Sequence, residues 1–112
     1  FIALCHAVIE NQAFILGVYR SVQREQVENY LGRVVYRLLL DVVEELSQPY
    51  SLSEQDRAYI TNFYKHAFVG VMLDWVRDGM QAPPEEVVGR VSLMTRGQLL
   101  LAIQNLAAHS LP

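Results

Sequence analysis

The sequence predicts an all-α domain, an antiparallel bundle of about four to five helices. Three observations predict it. Apolar residues recur at the i, i+3, i+4 spacing of a single helix face through most of the chain. Proline is absent before Pro49, and glycine is sparse. No segment shows the alternation and tight-turn dipeptides of a β-hairpin. A chain of 112 residues fits one domain, spanning 1–112, with a real but small core.

The first helix is expected over Phe1–Leu16. Ile2, Cys5, Ile9 and Ala13 fall at helical spacing, with Leu4, Val8 and Ile15 widening the stripe and Glu10, Asn11 and Gln12 on the polar side. Gly17 and Ser21 bracket a turn. The next helix, about Val22–Ser47, is the clearest amphipathic one. Val27, Leu31, Val34, Leu38 and Val42 make one row, and Val35, Leu39 and Leu46 widen it to a core face. Arg37 and Asp41 form an i,i+4 pair on the other side. Residues 48–52 read as a loop.

Ser53 is a good N-cap for the third helix, with Glu54 and Asp56 in the first turn where the helix dipole favours acids. That helix runs to about Asp78, with Gly79 as its stop. At 1.5 Å per residue its roughly 26 residues span about 39 Å, more than the interior of so small a domain requires. Pro84 fits the first position of a further helix, with Glu85 and Glu86 behind it. Val87, Val88, Val91 and Met94 give its apolar stripe. Gly97 either breaks this helix before Leu99–Ala108 or lies within it.

Composition excludes several functions. The net charge is −3, and Lys and Arg together number nine, only one of them lysine, so these residues alone are not expected to grip a phosphate backbone. The longest apolar stretch, Ala67–Leu73, is about a third of a membrane span, and no signal-peptide pattern is visible. A cytoplasmic location is expected. The single cysteine, Cys5, forms no internal disulfide, and its apolar neighbours favour an inert thiol over a redox sensor. The apolar fraction of 52% is slightly high, and excess apolar surface is often covered by a partner.

The long helix carries two faces. Ile60, Tyr64, Ala67, Val71 and Trp75 share one row, with Phe63, Phe68 and Met72 beside it. Packed core is one reading of this face. The other is a cavity, for which the candidate lining is Tyr30, Tyr64, Phe68, Met72 and Trp75, since aromatic rings with polar tips suit a mostly apolar pocket. A second row is His66, Gly70, Leu73 and Arg77. Glycine inside a helix costs about 1 kcal/mol relative to alanine, so something should justify Gly70. Close approach of a second subunit would do so, with His66 and Arg77 as a polar rim. The expected homodimer interface is therefore His66, Gly70, Leu73 and Arg77, with Val88 and Val91 from the following helix.

Catalytic constellations are missing. His6, His66 and His109 have no partners at metal-ligand spacing. Cys5 and His6 are adjacent and so point about 100° apart on a helix. Glu44-Glu45 and Glu85-Glu86 read as a solvated face and a helix start. There is no glycine-rich phosphate loop. Neither an enzyme nor a cofactor or metal is expected.

The run Ala58–Met80, AYITNFYKHAFVGVMLDWVRDGM, resembles the C-terminal domain of TetR-family transcriptional regulators. The match is Phe63-Tyr64-x-x-Ala67-Phe68-x-Gly70, then Trp75, then Asp78-Gly79-Met80. Pro84-Glu85-Glu86 is similar to the start of that family's last helix. Val8-Ile9-Glu10-Asn11 followed by Phe14 is similar to the end of an earlier helix in the subgroup that includes the dihydroxyacetone kinase regulator. The resemblance covers roughly residues 1–96, and the tail Gly97–Pro112 has no clear counterpart. It implies a two-fold dimer through the last long helices, here Ser53–Asp78 and the helix from Pro84. It also implies an effector pocket among the helices, for an unknown small apolar or amphipathic molecule. DNA would be read only through an N-terminal helix-turn-helix domain outside this sequence. The alternative is a coactivator-type protein-interaction module whose interior is filled by side chains.

Overall fold

The computed structural model describes residues 6, 7, 9–11 and 24–109, most of them helical with no strand among them. Four helices follow one another: α1 (Arg24–Ser47), α2 (Glu54–Arg77), α3 (Pro84–Thr95) and α4 (Gln98–Ala108). Residues 6, 7, 9 and 10 are helical as well. The rest of the expected first helix, Cys5 and the turn at Gly17–Ser21 lie outside the described residues.

The helix ends are set by local chemistry. At the start of α2 the Asp56 N–H donates to Ser53 Oγ at 3.0 Å, which satisfies one of the orphan donors of the first turn. The end of α2 is a Schellman motif. The Met80 N–H donates to the Trp75 carbonyl at 2.9 Å and the Gly79 N–H to the Val76 carbonyl at 3.0 Å. Gly79 and Met80 both take left-handed conformations, at φ 80° and 59°. Pro84 opens α3 at its first turn, where its missing N–H is harmless. Gly97, at φ 74°, breaks the chain between α3 and α4. Of the two possibilities at Gly97, the break is the one that occurs.

Antiparallel packing of α1 on α2 builds the core. Leu31, Val35 and Leu39 meet Met72, Trp75, Val76 and Met80, the start of one helix against the end of the other. Farther along, Val43 meets Ile60 and Leu52, and Ile103 of α4 closes this second cluster. Ile9 packs on the first cluster, and His6 pairs with Glu85 at 3.1 Å, so the first helical stretch reaches the N-terminus of α3.

The buried row of α1 corrects the expected one. It is Leu31, Val35, Leu39 and Val43, each four residues from the last, whereas Leu38 and Val42 are 47% and 43% exposed and Val34 is half-buried. A strict i+4 row winds around the helix by roughly 40° per step. A row of this kind suits a neighbour that crosses obliquely. The inner face of α2 also differs. Ile60, Met72 and Trp75 are buried as expected, but Phe63 and Ala67 face solvent. Thr61 and Val76 are buried instead, Thr61 by donating its hydroxyl to the Arg57 carbonyl at 2.6 Å. The expected Arg37–Asp41 pair is not among the ion pairs of the described residues.

Candidate functional site: a groove between the two long helices

Beside the α1–α2 contact an open groove of about 870 Å³ runs along both helices. Its α1 wall is two adjacent i+4 rows, Glu28–Gly32–Tyr36–Leu40 and Asn29–Arg33–Arg37. Its α2 wall is Lys65–Val69–Leu73 and His66–Gly70. Two mid-helix glycines therefore face the same space. A Cβ on Gly32 would only touch the Lys65 Cδ at 4.0 Å, and one on Gly70 would meet nothing within 4 Å. No helix of the described chain approaches Gly70 closely.

The groove is electrostatically one-sided. Arg33, Arg37 and Lys65 line it against one carboxylate, Glu28. None of these three cations is hydrogen-bonded or ion-paired to another described residue. Other cations are committed: Arg57 donates to the Leu52 carbonyl at 2.7 Å, Arg77 pairs with Asp74 at 3.3 Å and Arg90 with Glu86 at 3.2 Å. A second groove of about 390 Å³ lies on the far side of Arg33 and Arg37, lined also by Tyr30, Val34 and Leu38.

The structure gathers Tyr64, Phe68, Met72 and Trp75 around the first core cluster, where Met72 and Trp75 are buried and the other two half-buried. None of the four lines either groove. Tyr30 stands apart from them, 58% exposed at the second groove. The indole N–H of Trp75 is already used, donating to the Ala82 carbonyl at 2.8 Å.

His66, Gly70, Leu73 and Arg77 follow one flank of α2, with Leu73 half-buried and the others exposed. Tyr59 and Phe63 continue that flank toward the N-terminus and are 74% and 66% exposed. Val88 and Val91 of α3 are half-buried, Val88 against the first core cluster. The exposed apolar residues of α3 are Leu93 and Met94.

Reasoning from sequence missed Arg33, Lys65 and Gly32 as groove residues. Arg33 and Arg37 at i,i+4, with a second mid-helix glycine beside them, were the available signal. His109 bonds the Asn105 carbonyl through Nδ1 at 2.9 Å, and no cluster of His, Cys, Asp or Glu among the described residues could hold a metal. No described helix is long and apolar enough to cross a membrane.

Residues 1–97 match the TetR-type family described as transcriptional regulator C-terminal region. No curated protein and no solved structure matches the chain.

Proposed function

The chain belongs to the TetR family of transcriptional regulators, as their C-terminal region, and on that premise we propose that it senses an effector in the α1–α2 groove and dimerises through α2 and α3. The observation that carries this is the double use of one flank of α2. His66 and Gly70 belong both to the groove wall and to the exposed stripe Tyr59–Phe63–His66–Gly70–Arg77. With the half-buried Leu73 between Gly70 and Arg77, that stripe alternates steps of four and three residues, the spacing of a helix that packs lengthwise against another. The exposed rings of Tyr59 and Phe63 on it favour a partner. A second copy seated on it would explain Gly70, which nothing in the described chain explains.

The effector site is placed in the groove because it is open. Met72 and Trp75 are closed off from solvent, so a ligand reaching them would need the core to part. A molecule in the groove would touch His66 and Gly70 from one side while the partner subunit touched them from the other. Binding would then favour one dimer geometry, and the spacing of DNA readers N-terminal to this region would follow. The domain is read as non-catalytic and cytoplasmic. The narrower assignment, to the subgroup that includes the dihydroxyacetone kinase regulator, is supported by Val8-Ile9-Glu10-Asn11 followed by Phe14.

Sedimentation equilibrium at tens of micromolar tests the dimer. The expected species is a dimer that Phe63→Glu converts to a folded monomer. A wild-type monomer would sink the reading.

A further inference from the structure

We propose that the effector is an amphipathic anion, with one carboxylate or phosphate group held by Arg33, Arg37 and Lys65 and an apolar body lying along Leu40, Val69 and Leu73. This rests on the groove being the effector site.

Charge placement is the first argument. The chain carries a net charge of −3, yet three of its nine basic side chains converge on one groove beside a single carboxylate. Arg33 and Arg37 sit four residues apart, where like charges repel and disfavour the helix. Neither arginine forms an ion pair with an acidic described residue. A local arrangement that works against the fold, without compensation inside it, marks a functional position.

Shape and chemistry are the second. Arginine presents a planar fork that matches carboxylate and phosphate oxygens two at a time, and two forks one turn apart can grip one such group from adjacent positions. Lys65 completes the set from the opposite wall. Its stem packs beside Gly32, whose missing side chain leaves the space. The rest of the lining includes Leu40, Val69 and Leu73, so an ion without an apolar body would leave that wall unused. A groove of about 870 Å³ falls in the range that small-molecule sites occupy.

The test is calorimetric titration of the whole chain with straight-chain carboxylates of increasing length, octanoate among them, and with octyl phosphate, octanol and inorganic phosphate. The two amphipathic anion types should bind, and octanol and inorganic phosphate should each bind at least about tenfold more weakly, the loss expected for one charge-assisted contact. The double variant Arg33→Gln/Arg37→Gln should lose the same factor or more while its circular dichroism stays unchanged, because both side chains are exposed. Lys65→Gln should lose part of it, and Arg96→Gln nothing. Affinity should fall as salt rises. If octanol binds as tightly as octanoate, the anion is overturned while the groove stands. Absence of binding by every probe overturns both readings. Unchanged octanoate affinity in the double variant overturns the assignment to Arg33 and Arg37.

Discussion

The indole N–H of Trp75 donates to the Ala82 carbonyl at 2.8 Å, across the turn that ends α2. The carbonyl of Trp75 also accepts the Met80 N–H at 2.9 Å. One residue thus fixes the path from α2 to α3 at both its backbone and its side chain. Trp75→Phe keeps an aromatic ring in the core but leaves the Ala82 carbonyl without this donor. A loss of roughly 1–3 kcal/mol is expected. Trp75→Ala adds a cavity and should cost about 3–5 kcal/mol. Urea denaturation followed by circular dichroism checks both.

The same turn holds two left-handed residues, and they should respond in different ways. Gly79→Ala places a side chain at φ 80°, with an expected cost of about 1–2 kcal/mol. Met80 already sits at φ 59°, so Met80→Gly relieves strain of that order. However, Met80 is only 8% exposed, and removing a buried methionine costs about 2–5 kcal/mol. Burial wins, and Met80→Gly should be destabilised, by less than a core methionine lost without strain relief. Paired urea melts of Met80→Gly and Met72→Ala measure the difference.

Gly70 gives a prediction whose sign depends on assembly. Within the chain its Cβ position is empty, so Gly70→Ala should stabilise α2 by up to about 1 kcal/mol through helix propensity. At the centre of a two-fold contact the same methyl would push the subunits apart. The expected outcome is a variant whose melting is raised where it is monomeric, at low concentration, and whose dimer dissociation constant rises. Sedimentation and concentration-dependent melts separate the two. A tighter dimer would place the contact elsewhere on α2.

Which parts of this were legible beforehand follows from the range of the physics. Helix ends depend on a few neighbouring residues, and Ser53, Gly79 and Pro84 mark theirs in the sequence. Gly97 marked a choice between break and continuation, which the left-handed φ resolves as a break. Burial along α1 depends on how α2 crosses it. Val34, Leu38 and Val42 are as apolar as Val35, Leu39 and Val43, and they differ by one position each. Only the place where α2 packs on α1 selects the second set. The groove was hidden for a similar reason, since it needs Arg33 and Lys65 on facing walls and they are far apart in sequence. His66 and Gly70 share one flank of α2 because that spacing is local, whereas their part in an interface is a proposal.

The helix beyond the family match yields the last prediction. α4 begins at Gln98, just past residue 97 where the match ends, yet its Ile103 is fully buried against Val43, Leu52 and Ile60. Gln104 also donates to the Tyr50 hydroxyl at 2.7 Å, tying α4 to the α1–α2 loop. This helix is therefore part of the core, closing the end of the bundle that α3 does not reach. Ile103→Ala should cost about 2–5 kcal/mol, as a cavity at a fully enclosed aliphatic site does. Ending the chain at Arg96 should do more harm, because it uncovers Val43, Leu52 and Ile60 together. Gln104→Ala removes one exposed hydrogen bond and should cost no more than about 1 kcal/mol. Urea melts should rank the chain ended at Arg96 as the most destabilised, then Ile103→Ala, then Gln104→Ala. If ending the chain at Arg96 left the midpoint unchanged, α4 would be an appendage rather than the fourth wall of the second cluster.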